Sequence, residues 1–334
     1  MKWDSGSFPL KRVGWALALL AAARGVEAQE PSAPPKGPPQ AAAVSVGTVL
    51  VPIVVTDEKG RTIPGLKEQD FSLLVEGKAV VLDLFSASDE APVSFTILVD
   101  GSGSMGLAGK LEGARAALEA LVGSAKPGDD FSLHVFSEGA VREIVPFTED
   151  GGRIVRAAAT VKPWGKTAFF DALVKMPDRT LLGKNGSRAI VLLTDGIDNA
   201  SLLTREKMEE VLQGVDVPVY PIGLRTGGLA ASPGDPGERD VDVDLLRRIA
   251  FETGGRFALV EDPGRLTDAV KEIEKDLRSQ YLLGFTPTGA GPVKYRSFSL
   301  VISKRIGTYR ARSGYRGTEP PWLDVSPKKK GKKT

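Results

Sequence analysis

The chain has 334 residues, with 44 Lys and Arg against 42 Asp and Glu, one histidine and no cysteine. Near-neutrality argues against a nucleic-acid binder, and the missing cysteine excludes disulfides, thiolate metal ligands, a catalytic thiol and a lipid-bearing cysteine. With 42% hydrophobic and 26% charged residues, the composition is that of a globular chain long enough for one large domain and an accessory.

In chain order, Lys11 and Arg12 precede an apolar run from Val13 to Ala23, and Val26-Glu27-Ala28 offers small residues at cleavage spacing. Residues 1–28 are therefore expected to be a secretory signal peptide, because so short a run falls below the ~20 apolar residues a bilayer-spanning helix needs. The expected location is periplasmic or secreted, with no transmembrane anchor. Removing this segment takes the formal charge from +2 to zero, since Lys2, Lys11, Arg12 and Arg24 leave together with Asp4 and Glu27. Residues 29–43 are proline-rich and poor in large apolar groups, which predicts an extended, disordered linker.

From residue 44 to 90 the pattern is short β-type runs, Thr48 to Val55, Phe71 to Val75 and Ala79 to Phe85, separated by Asp57-Glu58-Lys59-Gly60 and Glu76-Gly77-Lys78 turns. Residues 91–279 change to strands alternating with amphipathic helices, the mark of a doubly wound, mostly parallel α/β sheet. Val93 to Val99 reads as a central strand, followed by a helix with Leu111, Ala114, Leu118, Leu121 and Val122 on one face. Further strands are expected at Phe131 to Phe136, Ala189 to Leu193, Val217 to Ile222 and Arg256 to Val260. Helices are expected near 167–182, 204–213, 242–253 and 264–279. Residues 225–240 form a long loop with no legible role. Residues 280–316 return to β-type sequence and are expected to join 44–90 in one small discontinuous β-sandwich-like domain. Residues 317–334 read as a disordered basic tail, with Lys328, Lys329, Lys330, Lys332 and Lys333 set against an acidic body. Such a tail either rests in solvent or makes weak contact with an anionic envelope surface.

The chemistry gathers at strand ends. Asp100, Ser102 and Ser104 alternate along one glycine-containing loop after an apolar strand, and Asp195 follows a second apolar strand in Leu-Leu-Thr-Asp-Gly. Ligands of open parallel sheets bind beyond the carboxyl ends of strands, so the two carboxylates can converge. With Thr167 from another loop the set is all oxygen, which suits Mg²⁺ or Mn²⁺ with coordination positions left open. An EF-hand is excluded because loop position six would be Met105 and position twelve Leu111. His134 lies in an alternating strand and reads as a packed histidine. Lys166 either attracts an acidic ligand or points into solvent. Asp198 and Asn199 read as turn caps, the alternative being that they shape a second ion site or the ligand rim, and Asp171 as a helix-start carboxylate or a group supporting the site.

These residues resemble the von Willebrand factor type A domain and its metal-ion-dependent adhesion site, in which D-x-S-x-S joins a distant Thr and a distant Asp. Asp100-Gly101-Ser102-Gly103-Ser104, Thr167 in Gly-Lys-Thr and Asp195 in Thr-Asp-Gly fill the five positions. The flanks, Val51-Pro52-Ile53-Val54-Val55-Thr56-Asp57 and Arg312-Ser313-Gly314-Tyr315, resemble an exported bacterial subgroup. The resemblance implies a non-enzymatic binding module whose ion is completed by an Asp or Glu from a protein partner. Metal-assisted hydrolysis is the alternative from the enzyme class, and an ion that only stabilises the fold is a third reading.

Overall fold

A computed structural model describes residues 47–87, 91–107, 109–225, 241–261, 265–289, 291–304 and 306–323. The expected signal peptide and linker, loop residues 226–240 and the terminal lysines lie outside the described residues. Among the described residues, no helix is long and apolar enough to cross a membrane.

Among the described residues, fourteen strands and seven α-helices follow one another in chain order. β1 (Val49–Thr56), β2 (Phe71–Val75), β3 (Lys78–Ala79) and β4 (Leu84–Ala87) come first. The α/β region then runs through β5 (Val93–Asp100), α1 (Lys110–Gly123), β6 (Asp130–Ser137), β7 (Ala140–Thr148), α2 (Gly151–Ala159), α3 (Phe169–Leu173) and α4 (Met176–Thr180). It continues through β8 (Ser187–Thr194), α5 (Arg205–Leu212), β9 (Val219–Leu224), α6 (Val243–Thr253), β10 (Ala258–Val260) and α7 (Leu266–Arg278). The chain closes with β11 (Gln280–Phe285), β12 (Lys294–Ile302), β13 (Thr308–Ala311) and β14 (Gly314–Gly317).

The central sheet has the order β10-β9-β8-β5-β6-β7 and is parallel except for its β6–β7 edge pair. β5 sits mid-sheet and all eight of its residues are buried, as its nearly continuous apolar run, interrupted by Ser94 and Thr96, requires. One face packs Leu111, Ala114 and Leu118 of α1 with Ile273 and Leu277 of α7. The other packs Phe169, Met208, Leu245 and Ile249 from α3, α5 and α6. Each fully buried aliphatic side chain contributes about 1.5–3 kcal/mol.

Two further sheets, β13-β1-β11-β4 and β14-β12-β2-β3, are wholly antiparallel. They share one core, in which Val51, Ile53, Tyr281 and Leu283 of the first meet Leu73, Val75, Leu300 and Tyr315 of the second. Each sheet draws strands from both ends of the chain: they alternate in the first, while in the second the C-terminal pair β14-β12 adjoins the N-terminal pair β2-β3.

Four local expectations change. The run Ala79 to Phe85 is not one strand: Val80 N–H donates to Leu73 O while Asp83 N–H donates to Gly284 O, so the segment crosses from one sheet to the other. The helix expected over 167–182 is two short helices, because Pro177 at the start of α4 has no N–H to continue the ladder. β7 and α2 were not expected; a register shift against β6 near Leu133 interrupts the alternation that would have marked β7. Residues 317–323, assigned to the tail, are held to the sandwich, where Trp322 bridges Val80 and Leu323 N–H donates to Ala79 O.

Candidate functional site

β5 and β8 are hydrogen-bonded neighbours running parallel, so their last residues emerge side by side at one sheet edge. Asp100 ends β5 and Asp195 follows β8, and both are buried, at 0% and 1% exposure. Burial, and next the charge of Asp195, push the Asp100 carboxyl up to about 7. The two carboxylates therefore face each other electrostatically with little water between them and the core.

The loop after β5 is shaped by its own hydrogen bonds. Ser102 N–H donates to Asp100 Oδ1 at 2.9 Å, and a 3-10 turn over Gly103–Gly106 buries Met105 completely in the core. This anchor leaves Ser102 Oγ and Ser104 Oγ 3.0 Å apart. The segment carrying Thr167 is bonded to that loop, since Trp164 N–H donates to Gly101 O at 2.8 Å and Gly103 N–H to Gly165 O at 2.9 Å. Gly165 adopts φ +78°, a turn that L side chains adopt only with strain, and delivers Thr167 to 2% exposure.

Thr167 is clamped by the loop after β8. Its N–H donates to Asn199 Oδ1 at 2.8 Å, while its carbonyl accepts from the N–H groups of Asn199 and Ala200, both at 3.0 Å. Asp198 Oδ2 accepts from Phe170 N–H at 3.0 Å, and Asp171 accepts from Leu202 N–H at 2.9 Å and Leu203 N–H at 3.0 Å. Asp171, Asp198 and Asn199 thus stitch one loop to the other, a larger task than the helix-start and turn-capping roles expected of them. Lys166 is exposed at the rim, as expected of a solvated lysine. His134 is packed on β6 at 2% exposure, and burial lowers its pKa.

Two contributors were not foreseen. Thr194 Oγ1 donates to Asp100 Oδ2 at 2.7 Å and accepts from Gly196 N–H at 2.9 Å, linking the ends of both strands. Its signal was a hydroxyl closing an otherwise apolar strand immediately before the aspartate. Lys110 Nζ lies 3.2 Å from Asp195 Oδ2. A lysine opening a helix, where the macrodipole disfavours a cation, was the available sign that it has an acidic partner.

The donor set fits a hard divalent cation. It holds two carboxylates, three hydroxyls and no nitrogen or sulfur ligand, and Asp195 Oδ1 is buried with no hydrogen-bond partner. Among the described residues no three or more His, Cys, Asp or Glu are grouped so as to hold a metal ion, so hydroxyls must supply the balance of any such site.

Residues 95–197 match the family model of the von Willebrand factor type A domain, a span that contains all five oxygen-bearing residues. A von Willebrand factor type A protein from Catenulispora acidiphila aligns over 84% of this chain and 68% of its own, at 14% identity and a TM-score of 0.50. An aerotolerance-related membrane protein from Bacteroides fragilis aligns over 55% of this chain and 98% of its own, at 22% identity and a TM-score of 0.45. The ArnB paralog VWA2 from Sulfolobus acidocaldarius aligns over 82% and 76%, at 15% identity and a TM-score of 0.44. At these identities the likeness concerns fold. No curated protein matches the chain. The α/β region is thus a von Willebrand factor A-type fold accompanied by antiparallel sheets.

Proposed function

We propose that this is an exported binding protein, not an enzyme, that captures an acidic group of a protein partner through a divalent ion at the sheet edge. The observation that carries the reading is the buried, unpartnered Asp195 Oδ1 beside a second buried carboxylate. An unpaired buried acceptor costs about 1–3 kcal/mol, and a cation bound there removes that cost. Ser102, Ser104 and Thr167 would hold the ion through their hydroxyls, with Asp100 and Asp195 acting directly or through water. Thr194 fixes the rotamer of Asp100, and the Asn199 clamp fixes the backbone of Thr167. When bound, the ion supplies an electrophilic position that accepts a carboxylate. Mg²⁺ and Mn²⁺ both suit the donor set.

Mn²⁺ titrated calorimetrically into the wild type should bind at one site, and Asp100→Ala should weaken binding by at least the roughly 10–100-fold that losing even a group behind the ligands costs. Partner capture from an envelope extract should require Mg²⁺ and fail with EDTA or with Asp100→Ala. Equal capture under all three conditions would exclude the ion from the mechanism.

A further inference from the structure

The ammonium of Lys110 occupies one of the two oxygens of Asp195, at 3.2 Å, with the lysine side chain 16% exposed and the aspartate 1%. Lys110 is also the first residue of α1, preceded by Gly109, whose φ of 76° starts the helix without a side-chain cap. A cation there is opposed by the helix dipole and by burial; the carboxylate of Asp195 offsets both. A divalent ion held by the five oxygen donors would be a second cation beside the same aspartate. Two cations at short range in a poorly solvated pocket repel strongly.

We propose that Lys110 is a resident counter-ion that competes with the divalent metal for Asp195, so that metal loading drives its ammonium off the carboxylate and toward the solvent rim. The inference rests on the metal-binding reading of the site and adds to it a positioning residue that sets both metal affinity and the charge of the rim. In the metal-free site Lys110 partly neutralises the two carboxylates and holds Asp195 in place. In the loaded site the released ammonium, together with exposed Lys166, gives the rim a positive charge toward an acidic partner.

The experiment compares Mn²⁺ binding by isothermal titration in wild type, Lys110→Met, Lys110→Arg and Asp100→Ala. It also follows acylation of Lys110 in the wild type by an amine-reactive ester, read by mass spectrometry with and without Mn²⁺. Lys110→Met keeps the apolar stem, loses the charge and should bind Mn²⁺ about tenfold more tightly, since one close like charge is removed. Lys110→Arg should not tighten binding, and Mn²⁺ should accelerate acylation of wild-type Lys110. A purely structural lysine gives the reverse pattern: Lys110→Met binding equally or more weakly, with a labelling rate indifferent to Mn²⁺. That result overturns the competition while leaving the metal site standing. Absence of Mn²⁺ binding in every variant, Lys110→Met included, overturns the metal reading and this inference together.

Discussion

Asp100 depends on a neighbour that is itself outside the oxygen set. Thr194 satisfies one of its carboxylate oxygens and at the same time receives the Gly196 amide. Thr194→Val keeps the shape but leaves an acceptor and a donor unpaired in a buried place. It should lower stability by about 1–3 kcal/mol and Mn²⁺ affinity by about 10–100-fold, measured by urea denaturation and calorimetric titration. His134 gives a pH prediction of definite sign. Burial depresses its folded pKa below the ordinary 6.5, and its Nε2 has no partner. The unfolded chain therefore binds the proton first as pH falls, so the stability present above about 6.5 is lost progressively below it. His134→Leu should lose less stability than wild type between pH 7 and 5, and parallel curves for the two proteins would show that His134 contributes nothing to the acid response.

Among the elements, the site is assembled by loop-to-loop bonding that leaves little slack. A Cβ at Gly101 would lie 2.7 Å from Val135 Cγ1, so Gly101→Ala must push the first loop away from β6. An overpacking cost of about 1–3 kcal/mol follows, with weaker Mn²⁺ binding because the Ser102 and Ser104 hydroxyls move with the loop. Asn199→Ala takes the acceptor from the amide of Thr167, a residue 2% exposed, and should cost about 1–3 kcal/mol of stability and about tenfold in metal affinity. The strands bearing Asp100 and Asp195 were legible because parallel, doubly buried strands write long apolar runs into the sequence. The three oxygen-bearing segments were legible because short alternating motifs keep their spacing. Lys110, Thr194 and the Asn199 clamp were not, since each acts through a partner 30 to 100 positions away that no local period encodes. β7 escaped notice because its register shift breaks the twofold repeat, and the crossing at Val80–Asp83 did so because apolar alternation does not say which of two sheets it serves.

Across the whole molecule, one buried carboxylate joins the α/β region to the sandwich. Asp276 of α7, fully buried, accepts from Arg256 Nε at 2.8 Å and Nη2 at 2.9 Å, and also from the Arg310 guanidinium of β13. Asp276→Ala takes the acidic partner from Arg310 and leaves Arg256 with Glu272 alone, at 3.1 Å, and should cost about 3 kcal/mol, at the low end for a broken buried pair because both arginines retain some solvent. A urea midpoint unchanged by the substitution would show that the cluster is energetically neutral. Tyr281 and Ala87 are opposite partners in the β4–β11 pair. Those strands are thus the two arms of a hairpin, and everything from residue 88 to 279 takes the place of its turn. Joining the arms with a short Asn-Gly loop should leave a folded sandwich. The α/β region is in this sense a cartridge seated on a fixed mount, so its loops can diverge without disturbing the strands that carry it.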